Sequence, residues 1–370
     1  MNDIVGTIKE LMLSINRPVR LMEVCGTHTV AIFRHGIRTL LPETVSLLSG
    51  PGCPVCVTAI KDVDTAIAIA RTDDVILTTF GDMMRVPGDK KTLLDAKAEG
   101  ADIRIVYSPL DALNIAVDNP KKKVVFFATG FETTSPSVAG TVLEAERRGI
   151  PNFYIYSVHK TVPPALRALL DSGEVKVDGF ILPGHVSTVI GSAPYEFLVA
   201  DYAKPSVITG FDGPDILTGI LMILHQIAQG RAEVAIQYAK VVRPAGNPRA
   251  VEILNELFEP EDAEWRGIGV LPGSGLRLCE KYQHREIRNI LKLDVPVGSG
   301  PKACSCGEIL KGIKMPYECA LFGKACTPEK PVGACMVSSE GSCSAYYKYK
   351  AVFNLDNTLE KIAPDKMKGC

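Results

Sequence analysis

The sequence lacks the features that would place a protein outside the cell, at a membrane or on nucleic acid. Its first ten residues contain Asp3 and Glu10 and no apolar run that would resemble a secretion signal. The most apolar helical stretch, residues 216–228, is interrupted by His225 and Gln226 and is too short to cross a bilayer. A formal net charge of -1 gives no electrostatic attraction for nucleic acid or an anionic membrane. We therefore expect a cytoplasmic protein without nucleic-acid or membrane partners.

Loops that bind nucleotide phosphates are missing as well. The chain has no Walker A loop, and Gly130 has no second glycine at the spacing of a dinucleotide-binding loop. Binding of ATP or NAD therefore has no support in the sequence. The composition is that of an ordinary globular protein, with 46% hydrophobic and 22% charged residues among 370, which is enough for two or three domains.

Cysteine, by contrast, is plentiful. Six of the eleven cysteines lie within one window of forty residues, which we call the cysteine window: Cys304, Cys306, Cys319, Cys326, Cys335 and Cys343. In a reducing compartment such a group indicates metal or redox chemistry rather than crosslinks. Four thiolates hold one 4Fe-4S cluster or one tetrahedral zinc ion, so the window has two sulfurs more than one site needs.

Three interpretations of the cysteine window compete. Structural zinc sites usually have two Cys-x-x-Cys pairs, and the window has none. A disulfide framework would suit a secreted chain, which the N-terminus does not indicate. Irregular spacing is common where loops wrap a cluster, and the surplus thiols could form a redox pair beside it. The spacing favours a cluster and leaves zinc and disulfides open.

Between residues 18 and 227, β-branched runs alternate with helical segments, which is typical of a parallel α/β sheet. Strands are predicted at residues 19–24, 45–48, 75–79, 103–107, 124–128, 153–156, 179–182 and 206–209. The strand-end motifs recur at an offset of about 105 residues, although evenly spaced βα units alone would give the same pattern. We predict two similar parallel-sheet α/β domains, residues 1–118 and 119–240, and a loop-rich C-terminal iron-sulfur domain, residues 241–370.

A Cys-x-x-Cys pair follows the second predicted strand, at the sheet edge where α/β proteins place their chemistry. Cys53 and Cys56 lie one helical turn apart, before a helix predicted at residues 57–70. The positive partial charge of a helix N-terminus favours the thiolate. The pair fits a redox dithiol or half of a metal site, with two buried packing cysteines as the alternative.

Cys25 follows the first predicted strand and would lie beside Cys53 if the first two strands pair. Three thiolates with an open position could hold one soft metal fragment. Thr27 and His28 follow Cys25 closely. His28 is therefore a candidate acid, base or hydrogen-bond donor, although a lone histidine is more often structural.

Four further residues at strand ends are weaker candidates for the same cleft: Asp82, Arg85, Glu132 and His185. Asp82 and Arg85 are three residues apart and also fit a surface ion pair. Glu132 and His185 would face the first half of the chain across an interdomain cleft, which is a common place for a site. His185 fits the cap of a turn equally well.

Taken together, five segments resemble the HypD family of nickel-iron hydrogenase maturation factors. They are residues 25–29, 50–56, 78–87 and 183–187 and the cysteine window, in this order. The resemblance covers nearly the whole chain. It implies a scaffold that assembles the Fe(CN)2CO group of the hydrogenase with a HypC-type chaperone and a HypE-type cyanide donor, and that serves the hydrogenase large subunit indirectly.

The resemblance also implies two α/β domains and a third domain with a 4Fe-4S cluster similar to that of ferredoxin:thioredoxin reductase. By analogy with the family, the cluster ligands are Cys304, Cys319, Cys326 and Cys343, and the adjacent redox dithiol is Cys306 and Cys335. The spacing also allows Cys304 and Cys306 to exchange roles. Cys279 and Cys370 lie outside the family motifs.

We therefore expect Cys25, Cys53 and Cys56 to bind the iron fragment, with electrons arriving from the cluster through Cys306 and Cys335. A hydrogen bond from His28, from Thr27 or from a backbone amide at the helix start would hold a cyanide nitrogen. Two alternatives stay open: a thiol-disulfide oxidoreductase with the cluster as electron source, and an interaction module whose cluster only stabilises the fold. Whether the scaffold is an enzyme stays open too.

Overall fold

The computed structural model describes residues 2–295, 298, 300, 301 and 303–349, so Cys370 lies outside the described residues. Its strands are β1 (Val19–Glu23), β2 (Val45–Ser49), β3 (Val75–Thr79), β4 (Ile103–Ile105), β5 (Lys123–Ala128), β6 (Phe153–Ser157), β7 (Gly179–Pro183), β8 (Ser206–Thr209), β9 (Val234–Ile236), β10 (Phe258–Trp265) and β11 (Gly269–Leu278). The first eight match the eight predicted strands, which are confirmed.

The helices alternate with the strands up to β9. They are α1 (Asn2–Ile15), α2 (Gly26–Arg34), α3 (Ile37–Leu40), α4 (Pro54–Val57), α5 (Ile60–Ala70), α6 (Leu93–Ala98), α7 (Pro109–Asp118), α8 (Ser135–Arg147), α9 (Val162–Asp171), α10 (Gly184–Ile190), α11 (Phe197–Ala200), α12 (Gly213–Ala228), α13 (Pro248–Leu257), α14 (Cys306–Leu310), α15 (Ala334–Val337) and α16 (Ser342–Tyr349). None of these helices combines the length and apolarity needed to cross a bilayer.

Nine strands form two parallel sheets. The first sheet has the order β2-β1-β7-β8-β9 and the second the order β4-β3-β5-β6. Every residue of β3, β7 and β8 is buried, as expected where helices cover both faces of a parallel sheet. The predicted α/β class with two parallel sheets is confirmed.

Along the chain, the strands β3 to β6 of the second sheet lie between β2 and β7 of the first sheet, which differs from the predicted division at residue 118. β1 pairs with β7, with Met22 opposite Phe180, and β3 pairs with β5, with Leu77 opposite Val125. Each sheet therefore takes strands from both predicted halves. The even spacing of βα units is a local property, whereas the choice of a pairing partner is set by contacts between distant residues, so the spacing did not reveal it.

The C-terminal region is loop-rich, as predicted, and it packs in two places. The antiparallel hairpin β10-β11 lies against the second sheet, where Lys160 and Gly275 form an isolated β-bridge. The cysteine window packs on the first sheet's helices, where Phe33 of α2 meets Tyr346 of α16 edge to face at 4.6 Å. This second contact brings the cysteine window to the strand ends of the first sheet.

Candidate functional site

The first two cysteine motifs meet at the carboxyl ends of β1 and β2, which pair in parallel. The backbone N–H of Gly26 donates to the carbonyl oxygen of Gly52 over 3.0 Å. A Cβ on Gly52 would lie 2.3 Å from the backbone nitrogen of Cys25, so only glycine permits this approach. The structure thus brings Cys25 next to the turn that carries Cys53 and Cys56.

Cys53 and Cys56 are joined by a disulfide bond, with their Cα atoms 5.2 Å apart. Cys53 directly precedes α4, and its sulfur accepts a hydrogen bond from the backbone N–H of Cys56 over 3.2 Å. Both side chains are buried, with 4% and 0% of their surface exposed. Because metals bind thiolates, this pair becomes a ligand pair only after reduction.

The helix after Cys56 is shorter than predicted. α4 ends at Val57, and the extended backbone of Thr58 separates it from α5. Thr58 forms an isolated antiparallel bridge with Trp265 instead of continuing the helix. A contact with a residue two hundred positions away therefore interrupts a helix that the local pattern predicts as continuous over residues 57–70.

The Cys25 thiol is only partly exposed. Burial is the largest influence on it and raises the pKa of Cys25 to about 11, with the charge of Glu340 acting in the same direction. Hydrogen bonds from the backbone N–H groups of His28 and Thr27 partly oppose this rise in pKa. The thiol is protonated at neutral pH, so a metal would have to displace its proton.

The imidazole of His28 is fully buried against the end of β8. Its Nε2 lies 2.9 Å from the carbonyl oxygen of Gly210 and 2.9 Å from Oγ1 of Thr209. Burial lowers the pKa of His28 to about 4, so the ring is neutral, and a carbonyl partner requires the proton on Nε2. The ring N–H is therefore committed to Gly210, which differs from the expectation that His28 donates to a cyanide. His28 instead fixes α2 to β8.

His185 and Phe211 form an aromatic wall beside His28. The ring of Phe211 stacks on His185 at 3.9 Å and on His28 at 4.6 Å. His185 is exposed at the start of α10. Burial lowers the pKa of His185, whereas the charge of Glu340 raises it. Both predicted histidines thus lie at the same edge of the first sheet as Cys25.

Glu340 joins the cysteine window to the Cys25 loop, although the sequence analysis did not single it out. Oγ1 of Thr27 donates to Oε1 of Glu340 over 2.7 Å. A Cβ on Gly26 would lie 2.6 Å from the Cβ of Glu340, so the close approach requires glycine. The only sequence signal was its position between Cys335 and Cys343.

Glu132 is an interior carboxyl rather than a group on a cleft surface. Its Oε1 accepts a hydrogen bond from the backbone N–H of Val162 over 2.9 Å, and its Oε2 has no partner among the described residues. Burial raises the pKa of Glu132 to about 7. The charges of Glu132 and Cys25 both act on Tyr195, a fully buried residue that sequence reasoning missed because it follows no motif.

Glu23 is a second buried carboxyl that the sequence analysis missed. It ends β1, and its Oε1 accepts from Oγ1 of Thr29 over 2.6 Å, while its Oε2 accepts from the backbone N–H of Cys25 over 3.3 Å. Burial raises the pKa of Glu23 to about 7, although these hydrogen bonds lower it. A single acidic residue within the apolar run 19–24 was the available signal.

Asp82 and Arg85 are exposed on the turn after β3 and do not pair with each other in the described part of the chain. Oδ2 of Asp82 accepts from Oγ of Ser338 over 3.5 Å, and Arg85 donates to the carbonyl oxygen of Pro328. Both residues therefore contact the cysteine window, so the turn helps to position that segment.

The cysteine window surrounds one small cavity, which is lined by Cys304, Cys306, Cys319, Cys326 and Cys343. Cys335 is fully buried, with sulfur contacts to Cys306 and Cys343. A Cβ on Gly333 would lie 2.7 Å from the sulfur of Cys304 and 2.8 Å from that of Cys306. Glycine at this position therefore leaves room for the sulfurs.

The sulfurs fit a cluster by their chemistry rather than by a preformed geometry. Within the described residues, no three His, Cys, Asp or Glu side chains form a ready-made metal site. The contact with Cys306, and then burial, raise the pKa of Cys304 far above its usual value, so this thiol is protonated here. Five thiols around one cavity include the four that a 4Fe-4S cluster needs. Cys304 and Cys306 both line the cavity, so either fits the first ligand position.

The two sulfur sites belong to one apolar core. The helix α15, which carries Cys335, packs against α4, which carries Cys56. Cys53, Cys56, Cys306 and Cys335 all lie in the same cluster of buried side chains. The two sulfur sites are therefore joined by direct packing.

The fold and the cysteines together define a class of protein: a two-sheet α/β protein in which a Cys-x-x-Cys disulfide at the strand ends adjoins a cavity lined with cysteines. The family model for HypD, described as the hydrogenase formation hypA family, matches residues 1–350. The chain belongs to the HypD family of hydrogenase maturation factors, which confirms the resemblance seen in its motifs.

Curated relatives agree with the family model. The chain is 48% identical to the hydrogenase maturation factor HypD of Rhodobacter capsulatus over 340 residues, which cover 90% of each chain. It is 46% identical to the hydrogenase maturation factor HypD of Escherichia coli over 342 residues, which cover 92% of this chain and 91% of the relative. It is 48% identical to the hydrogenase expression/formation protein HupD of Azotobacter chroococcum over 340 residues, or 90% of each chain.

Proposed function

We propose that this chain is the scaffold on which the Fe(CN)2CO group of nickel-iron hydrogenase is assembled. The observation that carries the proposal is the meeting of three sulfur-bearing segments. The Cys25 loop lies against the Cys53 turn through Gly52, and α15 of the cysteine window packs on α4. This arrangement supports an iron-binding site beside an electron source.

The proposed ligands of the incoming iron, which is the cargo, are Cys25, Cys53 and Cys56. Low-spin iron with cyanide and CO is soft, so thiolates suit it. The disulfide between Cys53 and Cys56 must first open. Two electrons and two protons convert it into two thiols, and the thiols lose their protons when the iron binds. Loading of the iron site therefore depends on a nearby reductant.

The proposed reductant is the cysteine window. A 4Fe-4S cluster bound by Cys304, Cys319, Cys326 and Cys343 would supply electrons one at a time. Cys306 and Cys335 are proposed as the redox pair that accumulates two electrons, since their sulfurs are in contact. Their position next to α4 supports transfer to the disulfide that precedes this helix.

The proposed partners approach from the open side of the Cys25 loop. Cys25 is partly exposed and His185 is exposed, so a HypC-type chaperone can reach the iron there. A HypE-type protein would deliver cyanide to the same opening. The hydrogenase large subunit would receive the finished group indirectly, and the reaction would take place in the cytoplasm.

Infrared spectroscopy of the protein purified with its HypC-type partner tests the iron site. We expect cyanide and CO bands in the wild type and their loss in the triple variant Cys25→Ala, Cys53→Ala, Cys56→Ala. Cys279→Ala is the matched control, because the Cys279 thiol donates to the carbonyl oxygen of Glu256 and packs against the apolar core of the second sheet, outside both sulfur sites. Unchanged bands in the triple variant would refute the site.

A thiol-disulfide oxidoreductase is the second candidate, and the disulfide between Cys53 and Cys56 favours it. In this case the pair would exchange with a protein disulfide while the cysteine window supplies electrons. Catalytic turnover of disulfide substrates by the reduced protein would support this function. Cys25 counts against it, because an exchanging dithiol needs no third sulfur.

A further inference from the structure

Arg266 is a buried cation at the tip of the β10-β11 hairpin, with 5% of its surface exposed. Its Nε donates to the carbonyl oxygen of Thr58 over 2.7 Å, and its Nη2 donates to that of Pro87 over 2.8 Å. Both acceptors are neutral. Asp62 acts on the guanidinium from a distance, but that carboxylate is paired with Lys160 over 3.4 Å. Among the described residues, Arg266 forms no ion pair with a carboxylate.

The hairpin tip touches both sulfur-bearing segments. A Cβ on Gly267 would lie 2.8 Å from the Cα of Gly307, the residue that follows Cys306. On the other side, the backbone N–H of Arg266 donates to the carbonyl oxygen of Val57 at the end of α4 over 2.9 Å. The guanidinium is thus held in the layer where the cysteine window meets the Cys53 turn.

Once deprotonated, the sulfurs of the cysteine window would be the main negative charges acting on this guanidinium. Burial lowers the pKa of Arg266, and thiolates at Cys306, Cys335 and Cys304 would oppose that effect in this order. Arginine keeps its charge in proteins. A buried cation is unfavourable unless an opposite charge compensates it. Thiolates, or a cluster bound by thiolates, would supply that charge.

We propose that Arg266 is a positioning residue that provides the counter-charge of the cysteine window, raises the reduction potential of this window and holds it against the Cys53 turn. The inference rests on the redox role proposed above. Reduction adds negative charge close to a fixed positive charge, so the reduced form gains more stabilisation than the oxidised form. Removal of the positive charge therefore makes the site harder to reduce.

Two substitutions separate the charge of Arg266 from its hydrogen bonds. Arg266→Gln keeps a hydrogen-bond donor and removes the charge, whereas Arg266→Lys keeps the charge and removes the planar guanidinium. Arg285→Gln is the control for loss of a buried guanidinium elsewhere, because Arg285 is also 5% exposed and donates to the carbonyl oxygens of Ile150 and Phe153, although it also pairs with Glu146. Arg285 lies at the second sheet, away from the cysteine window.

The readout is the midpoint potential of the anaerobically purified protein, followed by electron paramagnetic resonance. We expect Arg266→Gln to lower the ratio of reduced to oxidised protein at fixed potential by about tenfold, equal to about 59 mV for one electron. Arg266→Lys and Arg285→Gln should stay near the wild type, although both should unfold at lower temperature. If Arg266→Gln does not fold, Arg266→Met provides a second variant without the charge.

Equal midpoints in the wild type and the variants without the charge would overturn the inference, as would an equal shift in Arg285→Gln. A wild type without iron-sulfur signals would contradict the proposed cluster instead. In that case the thiol-disulfide equilibrium of the cysteine window, measured in glutathione buffers by alkylation and mass spectrometry, supplies the potential. We expect this potential to rank the variants in the same order, and a different ranking would overturn the role of Arg266.

Discussion

The two sulfur sites are built in different ways. Cys25 and Cys53 are positioned by β1 and β2, whose parallel pairing and apolar packing fix the two loops that follow. The cysteine window has short helices, turns and glycines, and its sulfurs face a cavity. The first site is thus held by the fold of the sheet. The second is held by loops and short helices rather than by a sheet.

From this difference we infer that the cysteine window, unlike the first site, needs its proposed inorganic partner in order to fold. A sheet buries apolar area whether or not iron is present. A loop segment whose core is sulfur gains folding free energy from the bound group itself. Glu340, Arg266 and α15 form the interface between the two.

Loss of two proposed cluster ligands should have the largest effect, and it should distinguish the two sulfur sites most clearly. In the double variant Cys319→Ser, Cys326→Ser, amide hydrogen exchange across residues 303–349 should accelerate by roughly a hundredfold or more, because the bound group no longer stabilises the loops. The strand β1 should keep its protection. Equal protection of residues 303–349 with and without iron would show that this region folds by itself.

Gly52→Ala should damage the site that the sheet holds. The added Cβ would lie 2.3 Å from the backbone nitrogen of Cys25, and backbone cannot move aside as a flexible side chain can. We expect a loss of unfolding free energy of about 3 kcal/mol, measured by urea denaturation. Gly140→Ala in α8 is the control, since a Cβ there meets no atom within 4 Å and should be neutral or slightly stabilising. A small effect at Gly52 would mean that the two loops are loosely joined.

The carboxyl of Glu132 makes stability depend on pH. Its pKa is raised from 4.5 to about 7 in the folded state, so its contribution to stability is complete below pH 4.5 and is lost as the pH rises through about 7. Between pH 4.5 and 8, Glu132→Gln should therefore gain up to about 3 kcal/mol relative to the wild type. Thermal unfolding at several pH values checks this. A difference that stays constant with pH would contradict the buried, protonated carboxyl.

The contact between the two regions through Thr27 and Glu340 should have the smallest effect. Their hydrogen bond of 2.7 Å is partly exposed, so a double-mutant cycle with Thr27→Val and Glu340→Gln should give a coupling of about 1 kcal/mol. The cycle is measured by urea unfolding. Coupling near zero would indicate that Glu340 contacts the Cys25 loop without stabilising it.

Local patterns predicted the strands and the place of the chemistry. The runs at residues 19–24 and 45–48 alternate with helices, and parallel strands gather their carboxyl ends at one edge, so Cys25 and Cys53 were expected to meet. The cysteine content likewise indicated a sulfur-lined centre. These features depend on residues close together in the chain.

Other features depend on contacts between distant residues, which spacing does not encode. The pairing of β1 with β7 makes the second sheet an insertion between two strands of the first, and the bridge of Thr58 with Trp265 ends α4. Arg266 reaches the Cys53 turn from the β10-β11 hairpin, which has no motif of its own, and Glu340 reaches the Cys25 loop from within the cysteine window. His28 lies close to a candidate thiolate in the sequence, yet its ring N–H donates to the carbonyl oxygen of Gly210.

The central claim is that electrons entering the cysteine window reach the disulfide of the other site. It is tested most directly by limited anaerobic reduction, followed by alkylation and mass spectrometry of Cys53 and Cys56. We predict free thiols at both positions in the wild type and an intact disulfide in the double variant Cys306→Ala, Cys335→Ala under the same conditions. Equal reduction of the disulfide in both proteins would contradict the claim.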